Sequence, residues 1–154
     1  MRIILTTGTM RITQKTLNHI KQFEGCRLEA YKDAVGIWTI GYGQTFGVTK
    51  GMTITQERAD EWIVEYIESL EAALEAIPGL KNLSQNRWDA IVSFTYNVGI
   101  GNLRRSTLLK KIQNNPNGPS IYTEFLRWDK AKGKRLEGLT RRRQWESKRW
   151  EGEV

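Results

Sequence analysis

Glu24, Asp33 and Thr39 are the residues of this chain whose types and order could carry out a reaction. Glu24 ends a helical pattern, Asp33 follows it in a glycine-punctuated stretch, and Thr39 lies beyond on the same stretch. Read singly, Glu24 is a plain helix-end carboxylate and Thr39 a common strand residue. As an ordered set they could line one cleft, because a chain that reverses after Gly25 brings strand residues opposite the helix end. Hydrolysis of a glycosidic bond needs a protonated acid at the leaving oxygen and a carboxylate on the other face. One environment cannot keep one group neutral and the other ionised. A Glu packed near Phe23 and aromatic neighbours can have its pKa raised by desolvation, while an Asp on an open polar strand stays charged.

The elements that must position these groups are readable from the periodicity. Thr13 can cap a helix over 13–24, with Ile12 and Leu17 as a hydrophobic staple, Leu17, Ile20 and Phe23 as its apolar stripe and Gly25 as its stop. Between Leu28 and Val48 the pattern alternates, and Trp38, Ile40 and Tyr42 with interleaved glycines predict a small twisted antiparallel sheet of about three short strands. A long helix then starts at the cap Thr55 and carries Ala59, Trp62, Ile63, Tyr66, Ile67, Leu70, Ala73, Leu74 and Ile77 on one face until Pro78-Gly79. Further helices are predicted at 84–98, 106–114, 120–132 and 139–150, with Gly99-Ile100-Gly101, 114–119 and 133–138 as the turns between them.

The chain has 154 residues, the size of one domain that can bury its own core. Its charge of +7 favours a polyanionic partner through long-range attraction, without saying which one. The single cysteine, Cys26, excludes an internal disulfide and reads as a packing residue, since the lone histidine, His19, is poorly placed as its base. No zinc spacing occurs, so no metal or cofactor is expected. The apolar run Ile3-Ile4-Leu5 is too brief for a signal-peptide core or a membrane span, and no export route is read in residues 1–12. The six tryptophans read as core, with Trp38 the one to test as a sugar platform. Arg141 to Arg143 reads as a solvated helix face.

The run Glu24-Gly25-Cys26-Arg27-Leu28-Glu29-Ala30-Tyr31-Lys32-Asp33, followed by Gly36-Ile37-Trp38-Thr39-Ile40-Gly41-Tyr42-Gly43, resembles the catalytic signature of the phage-type lysozymes, or phage endolysins (glycoside hydrolase family 24). The likeness continues through 51–55, Tyr96-Asn97-Val98-Gly99, Ser106-Thr107-Leu108 and Gly138 to Arg143. The resemblance implies that Glu24 protonates the leaving oxygen while Asp33 and Thr39 orient and activate a water that attacks with inversion. It also implies sugar contacts at Thr45, Tyr96 and Asn97, and an arginine supporting the acid, taken as Arg142. Many relatives have His where this chain has Gln44, which alters a structural hydrogen bond rather than the chemistry.

The expected architecture is therefore α+β, a lysozyme-like two-lobed single catalytic domain over 1–154. A small antiparallel sheet lobe lies at about 25–50, a larger helical lobe at about 55–154 together with the helix 13–24, and the cleft between them. The expected function is an endolysin, a muramidase cutting the β-1,4 bond between N-acetylmuramic acid and N-acetylglucosamine in bacterial peptidoglycan and so lysing the host. It would act as a monomer, without nucleic acid or stable membrane insertion, waiting in the host cytoplasm until a holin gives access to the periplasmic wall. A lytic transglycosylase, a non-catalytic wall-binding module and a basic nucleic-acid-binding domain are the rivals. Asp33 and Thr39 argue against the first and the intact trio against the second.

Overall fold

The computed structural model describes residues 10–154, so the run Ile3-Ile4-Leu5 lies outside the described residues. The chain divides into two compact units, Gln14–Ser69 and a second made of Leu70–Val154 with the described residues before Gln14.

In the first unit, α1 (Gln14–Glu24) leads into the antiparallel pair β1 (Arg27–Lys32) and β2 (Trp38–Gly41), and α2 (Gln56–Glu75) begins after the loop that follows. The third strand expected from the alternation is reduced to the isolated bridge between Ile40 and Gln44, and a second isolated bridge joins Glu29 to Thr53 beyond the expected span. The pairing of β1 is irregular between Arg27 and Tyr31, which turns this short ribbon. Thr55 caps α2, its hydroxyl accepting the Arg58 N–H at 3.0 Å. Ile20 of α1, Ile40 of β2, and Ala59, Ile63 and Ile67 of α2 are buried, whereas Tyr66, expected on the same face of α2, is 41% exposed.

The second unit is helical. It holds the end of α2, then α3 (Gln85–Val98), α4 (Ile100–Arg105), α5 (Thr107–Asn114), α6 (Ile121–Leu126), the hairpin of β3 (Lys130–Ala131) and β4 (Lys134–Arg135), and α7 (Glu137–Glu151). Its core joins Trp88, Ile91, Phe94, Leu103, Leu108, Phe125 and Trp150. Phe94 meets Phe125 and Trp128 edge to face, each with centroids 5.6 Å apart, the arrangement favoured by the ring quadrupoles.

Two expectations in this unit are corrected. The segment 99–101 is not merely a turn: Gly99, at φ +89°, ends α3 and the chain restarts at once as α4. The helix expected over 120–132 stops at Leu126, where Arg127 and Trp128 bond back only three residues, to the Glu124 and Phe125 carbonyls, and the chain goes on into the β3–β4 hairpin turned by Lys132 and Gly133. Among the described residues no helix is long and apolar enough to cross a membrane.

Candidate active site

Glu24 is the last residue of α1. The helix ends there because Gly25, at φ +69°, donates its N–H to the Lys21 carbonyl at 2.9 Å, in a conformation that a residue with a Cβ would adopt only under strain. Glu24 is half-buried. Its charge reaches Tyr66 of α2, whose phenol pKa is raised first by burial and then by Glu24.

Asp33 follows β1 at the start of a tight loop. Its N–H bonds to the Ile37 carbonyl at 2.9 Å, and its Oδ1 accepts the N–H groups of Val35 at 3.0 Å and Ile37 at 2.9 Å. This side-chain turn, a habit of Asp, fixes the carboxylate plane and leaves Oδ2 outside the pairing. Thr39 lies opposite Tyr31 on β2 and is 4% exposed. Its hydroxyl donates to the same Ile37 carbonyl at 2.9 Å. With the proton committed to that carbonyl, the oxygen keeps its lone pairs for another donor, such as a water.

Below the end of α1 lies a polar cluster that sequence reasoning did not find. Tyr42, between Gly41 and Gly43, donates its hydroxyl to Asp60 Oδ1 at 2.9 Å, and Gln56 Nε2 donates to both Tyr42 Oη at 3.1 Å and Asp60 Oδ1 at 3.0 Å. Lys21 Nζ lies 3.4 Å from the same oxygen, and the Cys26 thiol lies 3.8 Å from Gln56 Oε1. Lys21 and Cys26 flank Glu24 in the chain, so the cluster anchors both sides of the helix end. The only sequence signal was an aromatic residue caught between two glycines. Gln44 is buried, with its main chain paired in both directions to Ile40, while Thr45 beside it is exposed. Trp38 is half-buried with the Lys32 ammonium 5.4 Å from its ring centroid.

Comparison with known proteins adds the deciding observation, since the family model described as phage lysozyme matches residues 21–146. The chain belongs to the phage lysozyme family. As such it is a peptidoglycan-hydrolysing glycoside hydrolase of the endolysin kind. An endolysin of Acyrthosiphon pisum secondary endosymbiont phage 1 is 43% identical over 88% of this chain and 94% of that protein. The endolysin of Bacillus phage B103 is 38% identical over 89% of this chain, which spans 52% of that longer relative. Among solved structures, the endolysin from Escherichia coli O157:H7 phage FAHEc1 superposes with a TM-score of 0.78 at 37% identity, over 96% of this chain and 97% of that one. The muramidase domain of SpmX from Asticaccaulis excentricus gives 0.74 at 30% identity, over 91% of this chain and 97% of that one.

The remaining candidates of this phage lysozyme lie in the helical unit. Tyr96 is half-buried and Asn97 exposed in the last turn of α3. The arginine run is not the solvated face that its charge suggests. Only Arg141 is exposed, whereas Arg142 and Arg143 are 3% and 0% exposed. Glu146, itself fully buried, explains this: it forms ion pairs with both guanidinium groups, and its Oε2 accepts from Arg143 Nη2 at 3.1 Å, Arg142 Nε at 3.3 Å and the Ser93 hydroxyl at 2.6 Å. Arg142 also donates to the Ser93 carbonyl at 3.0 Å. Arg142 thus comes from a charged core built on α7, whose signal in the sequence was Glu146 one helical turn after two arginines.

Proposed function

We infer that this lysozyme cuts the β-1,4 bond between N-acetylmuramic acid and N-acetylglucosamine, with Glu24 delivering a proton to the leaving oxygen. Asp33 Oδ2 takes a proton from a water that the Thr39 oxygen holds, and attack of that water on the anomeric carbon inverts its configuration. The proton given by Glu24 is balanced by the one gained at Asp33, and exchange with solvent restores both. The observation that supports this most directly is that Ile37 binds Asp33 and Thr39 together: its N–H donates to the carboxylate and its carbonyl accepts a hydrogen bond from the Thr39 hydroxyl. No metal or cofactor enters the scheme. Arg142 is read as supporting the acid, and Thr45, Tyr96 and Asn97 as sugar contacts. The enzyme is further read as a single-domain monomer without membrane insertion, which reaches the periplasmic wall from the host cytoplasm once a separate holin opens the way.

Clearing of purified cell walls by wild type and by Glu24→Gln tests the acid. Glu24→Gln should clear slower by on the order of 10³-fold with an unchanged circular dichroism spectrum. Equal clearing would remove Glu24 from the chemistry. Mass spectrometry of the products should show reducing ends, and anhydro sugars would instead mark a transglycosylase. Proton NMR of the first-formed anomer decides inversion.

A further inference from the structure

The stretch Lys130–Arg135 carries four cations and no carboxylate. It forms the β3–β4 hairpin, with Lys130 opposite Arg135, Ala131 opposite Lys134, and Lys132-Gly133 as a two-residue turn. All six residues are exposed. Both turn residues have positive φ, +51° and +78°, and Lys132 is the only non-glycine residue in that region among the described residues. Turns of this kind prefer Asn, Asp or Gly at that place. Lysine there, and two cations placed directly across the strands, each oppose local stability. A hairpin that breaks two local rules in the same direction, toward positive charge, points to a role outside folding.

The base of the hairpin is held while its tip stays open. Arg135 bonds to Asp129 Oδ2 and to the Thr140 hydroxyl, each at 3.0 Å, and the Leu136 N–H bonds to the Asp129 carbonyl at 2.9 Å. Lys130, Lys132 and Lys134 have no ion-pair partner among the described residues. Next to the hairpin lies a shallow pocket of about 320 Å³ lined by Arg135, Glu137, Thr140 and Arg141. Glu137 and Arg141 stand 3.8 Å apart there, both largely exposed. Glu137 is the one carboxylate of that lining, set against two arginines.

We propose that this hairpin is a docking surface for the carboxylates of peptidoglycan stem peptides, holding the enzyme on its polymer independently of the catalytic residues. Lysine ammonium groups are compact charges on flexible stems, which suit many loosely arranged carboxylates better than one ligand of fixed geometry. The proposal rests on the reading of peptidoglycan as substrate, and binding is therefore measured apart from cleavage.

The test uses the full chain carrying Glu24→Gln, with and without Lys130→Gln, Lys132→Asn and Lys134→Gln, in co-sedimentation with insoluble peptidoglycan. Lys132→Asn suits the turn, which protects the fold of the triple variant. The triple variant should bind about tenfold more weakly at low salt, and the difference should shrink with added salt. Wild-type hairpin binding to peptidoglycan whose carboxylates have been amidated should fall to the level of the triple variant. Equal binding by both proteins, or loss of affinity only on vesicles of phosphatidylcholine and phosphatidylglycerol, overturns the proposal. Failure of the catalytically intact chain to cut peptidoglycan overturns instead the reading on which it rests.

Discussion

The Tyr42 hydroxyl donates a hydrogen bond to Asp60 Oδ1 at 2.9 Å, tying the turn between Gly41 and Gly43 to the start of α2. Burial, and next the bond to Asp60, push the Tyr42 phenol up to about 12. Burial also opposes ionisation of Asp60, yet Tyr42, Gln56 and Lys21 together hold its carboxyl below the usual range. The phenol therefore remains a donor at neutral pH.

Tyr42→Phe should lower stability by about 1–2 kcal/mol, read from urea unfolding, and should be non-additive with Asp60→Asn. A folded-state pKa raised above 10.0 means that this contribution is complete below that pH and is lost as pH climbs toward 12. The gap between wild type and Tyr42→Phe should close on the alkaline side. A gap that widens there would contradict the bond.

Thr39→Val keeps the shape of a buried strand residue and removes its hydroxyl. Wall-clearing activity should fall by on the order of 10²-fold, the scale of one positioned polar group, while the melting temperature moves little. Thr39→Ser should recover most of the rate. A valine variant as active as wild type would exclude the hydroxyl from holding water.

Glu146→Gln leaves Arg142 and Arg143 buried without their carboxylate. Removing one member of a buried charged set costs about 3–5 kcal/mol, so this variant should be strongly destabilised in urea. Arg141→Gln, on the exposed side of the same helix, should stay within about 0.5 kcal/mol of wild type. Similar losses from both would contradict the burial of Glu146.

Asp129 is held below its usual pKa first by the Thr140 hydroxyl, against the opposing effect of burial, and then by Arg135. A depressed carboxyl contributes stability above its unfolded pKa and loses it as pH falls through the folded one. The advantage of wild type over Asp129→Asn should be complete at neutral pH and begin to fall below about pH 4, shrinking further as the folded carboxyl is protonated, by urea midpoints measured through that range.

The α1 and α2 boundaries and the β2 strand were legible because each rests on local signals: Gly25 as a stop, Thr55 as a cap, alternation around Trp38. Glu24, Asp33 and Thr39 were read as a set from the resemblance of their surroundings to the phage-type lysozymes. What escaped notice depends on tertiary company. The charge of Arg142 and Arg143 says surface until Glu146 and Ser93 surround them. The predicted helix over 120–132 gives way to a hairpin whose turn needs Lys132 in a left-handed conformation, which lysine does not announce. Tyr42 and Asp60 are far apart in the chain and show no shared pattern until the turn folds onto α2.

Ile37 grips both Asp33 and Thr39 with main-chain atoms, while its own side chain is 49% exposed. Nearly any residue at that position would serve equally well, and natural drift there would leave the reaction untouched. Proline is the exception, since it has no N–H to offer. A saturation library at this one codon should therefore survive almost intact, with a single dead member.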